Sequence, residues 1–215
     1  EYLGVNSVME SILTILSMGE LGIGTSVAFA LYRPIDDGDE RRIGSLMAFY
    51  RKVYFILGIA TAVVGPLLIP FMRFFTREAA NVADINLIYL LFLLNTTLSY
   101  FFAYKRTLLS AYQQNYINSL SEDAFAVVKY ILQIVAITQF GSYIGYLVIN
   151  LVCVCGANIV IGIVCDRKYP FIKKYKKEKL IEEDKNKLKK SVVSLMYQKI
   201  GAKLVTGTDN LMISY

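Results

Sequence analysis

The stretch YILQIVAITQFGSYIGYLVINLVCVCGANIVIGIVC, residues 130–165, runs for 36 residues without a single charge. An α-helix rising 1.5 Å per residue crosses the roughly 30 Å hydrocarbon core of a bilayer in about 20 residues. The run is therefore too long for one span, and Gln139-Phe140-Gly141-Ser142 supplies the turn that divides it in two. Two further uncharged runs of spanning length, Phe55 to Met72 and Ile85 to Tyr104, precede it. A fourth apolar segment, Tyr2 to Tyr32, is interrupted only by Glu10 and Glu20.

The basic residues between these segments are segregated. Lys and Arg number 5 in Arg33 to Lys52, 3 in Lys105 to Lys129 and 13 in Arg167 to Lys203, against 2 in Arg73 to Asp84 and none at the break near residue 140. A chain threaded back and forth through a bilayer with its basic loops in the cytoplasm produces this alternation. Hydrophobic residues make up 55% of the 215 and charged residues only 19%, which argues against a soluble core. The net charge of +6 sits in loops flanking spans, where orientation and anionic headgroups account for it without a nucleic-acid partner. The expected fold is all-α, a multi-pass transmembrane helix bundle. Its five spans are expected at about 2–32, 53–72, 85–112, 120–140 and 143–165, with a basic cytoplasmic linker at 166–190 and a further membrane helix opening at 191–215. Both ends read as cuts, with one span expected upstream.

Local chemistry fills in the pattern. Asp39 is placed to cap a helix over Arg41 to Tyr50, and Pro66 and Pro70 interrupt the second span. Gly19, Gly22 and Gly24 permit close helix approach. Cys153, Cys155 and Cys165 read as small packing residues, because positions two apart face different sides of a helix. With no His in the chain, Ser-His and Cys-His catalysis are excluded, and neither a phosphate-binding glycine loop nor a cofactor motif is present. The expectation is a non-enzyme without cofactor or metal.

Charge inside the apolar segments is the functional signal, since a carboxylate near mid-membrane costs on the order of 2.5 kcal/mol or more unless paired or hydrated. Glu20 sits at that depth, in a segment whose Ser7, Glu10, Ser11, Thr14 and Ser17 share one face. Lys199, Lys203, Thr206 and Asn210 recur at spacings of four, three and four, making a second polar face, and Asp209 lies beside them. Lys129, one to two turns after Glu122 and Asp123, is a further candidate, for which an interfacial ion cluster is an equal reading. A snorkelling role competes for Lys199, and a structural salt bridge or protonated acid for Glu20.

The runs Tyr2-Leu-Gly-Val-Asn-Ser7, Glu20-Leu-Gly-Ile-Gly-Thr25, Leu31-Tyr-Arg-Pro-Ile35, Phe49-Tyr-Arg-Lys-Val-Tyr54, Tyr100-Phe-Phe-Ala-Tyr-Lys-Arg106 and Gly207-Thr-Asp-Asn-Leu211 resemble, in order, those of bacterial polysaccharide flippases. These belong to the multidrug/oligosaccharidyl-lipid/polysaccharide exporter superfamily. The resemblance implies spans two to six of a six-helix lobe plus the start of span seven in a two-lobe transporter of the cytoplasmic membrane. It further implies alternating-access export of a polyprenyl-pyrophosphate-linked oligosaccharide for O-antigen, lipopolysaccharide or capsule synthesis. Membrane lipids, a coupling cation and polysaccharide polymerase machinery would be partners. On that reading Lys199, Lys203 and Lys129 are headgroup contacts, and Glu20 and Asp209 are ion-coupling or gating groups. A drug/cation antiporter of the same architecture and a membrane-embedded polymerase are the alternatives.

Overall fold

The computed structural model describes Met9, Leu13, Thr14 and residues 22–71 and 84–213, with side chains as far as Ala202 in the last helix. Every regular element among them is helical: α1 (Ile23–Asp36), α2 (Glu40–Val64), a 3-10 segment (Gly65–Phe71), α3 (Ile85–Ala111), α4 (Asn115–Phe140), α5 (Tyr143–Lys168), the short α6 (Phe171–Lys174) and α7 (Glu182–Ile213). Three stretches, Glu40–Pro70, Ile85–Ala111 and Tyr143–Lys168, are long and apolar enough to cross a membrane, with mean hydropathies of 2.1, 1.6 and 2.5. The all-α membrane bundle expected from the sequence is thus the fold observed.

Burial is arranged for lipid. Ile56 and Val63 on α2, Leu67 in the 3-10 segment, Ile131 and Ile134 on α4, and Val152 and Ile163 on α5 face outward, whereas Tyr50, Tyr54 and Tyr89 are buried. In water such an apolar exterior would aggregate; in a bilayer it removes no apolar surface from its preferred medium.

The helix ends follow their residues. Asp39 accepts a bond from the Arg42 backbone N–H at 3.0 Å, starting α2 one residue before the segment it is placed to cap. At Gly65-Pro66 the α-helix gives way to 3-10 geometry, and the buried Tyr89 hydroxyl donates to the Gly65 carbonyl at 2.8 Å. A hydroxyl from α3 thus supplies a donor to backbone where the α-helical ladder breaks in an apolar medium. Gly141, at φ 56°, ends α4, and the Ser142 hydroxyl accepts from the Gly145 N–H at 3.0 Å to begin α5.

Helix α5 packs on α3 and α4, while α3 also packs on α1 and α2. Helix α7 begins at Glu182, inside the stretch that reads as a linker in the sequence, and lies along α1. Gly22, at φ 89°, makes that approach possible: a Cβ there would meet the Leu195 Cβ at 3.0 Å. The end of α1, the start of α2, the α3–α4 turn, the end of α5 and α6 gather at one end of the bundle, the basic one.

Candidate functional site

Helix α3 does not stop where its uncharged run stops. It continues through Lys105 and Arg106 to Ala111, so both cations are carried into the bundle on its last two turns. Arg106 faces α4 and α5. Its guanidinium is ion-paired with Glu122, and its Nε donates to the Asn158 Oδ1 at 3.0 Å. Asn158 is 2% exposed, so a planar guanidinium is held from two sides by an acid and an amide. The Arg106 carbonyl in turn accepts from Asn118 Nδ2 at 3.2 Å, which ties the backbone of α3 to α4 at the same level.

Two cavities meet at this pair. The first, of about 460 Å³, lies among α3, α4 and α5 and is lined by Ser99, Arg106, Glu122, Asp123, Lys129 and Asn158, with Ala103, Phe125, Ala126, Cys153, Val154 and Ala157 as its apolar wall. The second, of about 400 Å³, lies among α1, α3 and α4 and is lined by Thr25, Thr107, Ser110, Asn115, Asn118 and Ser119, again with Arg106 and Glu122. The Arg106–Glu122 pair therefore lines both of two open clefts of mixed polar and apolar wall.

Of the residues singled out in the sequence, Lys129 lines the first cavity, its Nζ 4.8 Å from the centroid of the Tyr130 ring. Lys199 reaches the rim of the second, its Nζ donating to the Thr25 Oγ1 at 3.5 Å. The two cations thus belong to different clefts, both of which Arg106 and Glu122 also line. Glu20 lies outside the described residues. Lys203 and Asp209 lie on α7, with their side chains outside the description. The first cavity's lining holds two cations and two carboxylates, so its formal charges balance, and Arg106 carries its counterion with it.

Arg106 and Asn158 are the central residues that sequence reasoning passes over. The expected span at 85–112 already contains Arg106, but as a charge near the end of that span it reads as one of the basic residues of the following loop, with nothing in the sequence to mark its partners on α4 and α5. Asn158 was visible as an amide within an uncharged span, a residue type that costs free energy in hydrocarbon without a partner.

Below the site, the basic end is fastened by polar contacts. Lys105 pairs with Asp166 at 2.8 Å and donates to the Gly162 carbonyl at 3.2 Å, and Lys173 reaches the same carboxylate at 3.1 Å. Tyr169 stacks on Tyr112 with ring centroids 4.3 Å apart and donates to the Gln114 Oε1 at 2.9 Å. Burial pushes the Tyr169 hydroxyl from an ordinary 10.0 up to about 12, with neighbouring Tyr112 adding to the shift.

The chain is a helical membrane protein with a charged constellation in an open cleft among three of its helices. Comparison with protein-family models, curated proteins and solved structures finds no match to it.

Proposed function

We propose that this chain is part of a transporter that carries a polyprenyl-pyrophosphate-linked oligosaccharide across the cytoplasmic membrane, in the manner of the polysaccharide flippases it resembles. The observation that supports the reading best is the Arg106–Glu122 pair lining two open clefts, with Lys129 in the wall of the first and Lys199 bonded to Thr25 of the second. A pyrophosphate entering either cleft competes with Glu122 for the Arg106 guanidinium, which offers a planar fork suited to phosphate oxygens. Asn158 holds that fork in orientation during the exchange. Serine, threonine and asparagine side chains replace water around the sugar, and the lipid tail stays in the bilayer. Release of the headgroup returns Glu122 to Arg106.

The balanced charge of the first cavity supports a second reading, a drug/cation antiporter in which protonation of Glu122 or Asp123 alternates with a bound cation. Complementation with the full-length protein in a strain lacking its own polysaccharide flippase separates the two. Restored outer-leaflet lipid-linked oligosaccharide, lost in Arg106→Gln and partly kept in Arg106→Lys, is the result expected of a flippase. Cation-dependent efflux of small amphiphiles with no oligosaccharide movement would favour the antiporter.

A further inference from the structure

A third cavity, of about 360 Å³, opens at the basic end on the outer flank of α2, away from the two clefts. Its lining is Ala48, Arg51, Lys52, Phe55 and Ile56 of α2 with Lys176 from the segment after α6. Three cations face this space and the lining holds no carboxylate. Elsewhere at the same end several cations have carboxylate partners: Arg41 with Glu178, Arg42 with Asp184, and Lys105 and Lys173 with Asp166.

The third cation is held there by the fold. Phe171 and Ile172 of α6 are buried in the core. Tyr175 closes directly over Gly44 of α2, where a Cβ would fall 2.5 Å from the Tyr175 Cβ. Arg41 fixes Glu178 at 3.2 Å two residues beyond Lys176. Anchored on both sides, Lys176 is kept beside Arg51 and Lys52 although like charges repel. An anion drawn from outside the protein offsets that repulsion.

The apolar part of the lining decides which anion. Phe55 follows Arg51 by four residues and Ile56 follows Lys52 by four, so each cation stands one helical turn from an outward apolar side chain. Phe55 is 52% and Ile56 65% exposed, on the flank that faces hydrocarbon. A soluble phosphate has no use for that apolar shelf, whereas a phospholipid places its phosphate among the cations and its first acyl methylenes against Phe55 and Ile56. We infer that Arg51, Lys52 and Lys176 form a binding site for the headgroup of an anionic phospholipid, with Phe55 and Ile56 receiving its acyl chains. The site is independent of what the two clefts carry.

The test is native mass spectrometry of the detergent-solubilised full-length protein titrated with dioleoyl-phosphatidylglycerol and, separately, dioleoyl-phosphatidylcholine. Phosphatidylglycerol is expected to remain bound in preference, and Lys176→Gln and Arg51→Gln/Lys52→Gln are expected to weaken its retention roughly fivefold per cation removed. Lys176→Arg, which keeps the charge, and Lys187→Gln/Lys189→Gln, on the exposed flank of α7, should leave it unchanged. Circular dichroism of each variant establishes that the helices remain. Equal retention of the two lipids, or undiminished phosphatidylglycerol in both glutamine variants, overturns the site. Displacement of bound phosphatidylglycerol by millimolar inorganic phosphate, without any preference over phosphatidylcholine, assigns the pocket to a soluble anion and overturns it as well.

Discussion

Arg42 and Asp184, 142 residues apart, meet in a two-bonded pair: Nε donates to Oδ2 at 2.8 Å and the second terminal nitrogen to Oδ1 at 2.5 Å. The pair fastens the first turn of α7 to the first turn of α2. Asp184 is 9% exposed at its side chain and Arg42 29%, so the bond is sheltered without being dry. Removing one partner strands the other, and Asp184→Asn is expected to cost roughly 2 kcal/mol, less than a fully buried pair. Thermal unfolding in detergent, run as a cycle with Arg42→Gln, checks this. A coupling near zero would show that the pair contributes no stability.

Glu122→Gln removes the counterion of Arg106 while keeping the shape of the side chain. Because Glu122 is 47% exposed at its side chain, the loss is expected to be about 1 kcal/mol. The freed guanidinium should then take a soluble anion. Millimolar inorganic pyrophosphate is expected to raise the melting temperature of Glu122→Gln more than that of the unsubstituted protein. An equal shift in both would mean that Glu122 does not compete for the site.

Gly22→Ala meets two obstacles at once, a φ of 89° and the Leu195 Cβ 3.0 Å away. The left-handed backbone alone costs on the order of 1 kcal/mol or more for a residue with a Cβ. The substitution should push α7 off α1 and accelerate cross-linking-detected separation of cysteines placed at Ser26 and Ser191, whose hydroxyls lie 3.2 Å apart. Unaltered cross-linking would place the flexibility elsewhere.

The pH dependence of stability should carry a mark of Tyr169. Its hydroxyl is held up to about 12 against an ordinary 10.0, so the folded state keeps a proton that the unfolded chain gives up first. The contribution is complete below pH 10 and is lost as the pH rises from 10 to 12, a fall of up to about 2–3 kcal/mol. Tyr169→Phe should flatten that limb. A limb of unchanged slope would assign the alkaline loss to other groups.

Much of this architecture is legible in the chain because two strong signals coincide. Uncharged length marks the helical stretches that contain residues 55–71, 85–104 and 143–165, and turn residues such as Gly141-Ser142 mark their joints. The site is less legible because its defining cations begin where the uncharged run ends. Arg106 belongs to a helix that outlasts its apolar stretch by several residues, and only the partners waiting on α4 and α5, Glu122 and Asn158, make that depth tolerable. Partners from other helices leave no trace in the spacing of a single segment. Lys129 and Lys199 were visible as charges in apolar surroundings, but not the two clefts, joined at one ion pair, to which they belong.

The contacts along α1 and α7 differ in kind from those inside the bundle. Ser26 meets Ser191 through hydroxyls, Thr25 receives Lys199, and Gly22 offers bare backbone to Leu195. Between α3 and α5, by contrast, the helices share a core with Leu108, Ile161 and Cys165 fully buried. Water can replace a hydroxyl contact almost isoenergetically and one contact at a time, but it cannot replace an interlocked apolar core. The middle of the α1–α7 boundary is thus a seam that water can enter, closed off toward the start of α7 by the Arg42–Asp184 pair and by Leu188, which is buried in the core it shares with α1.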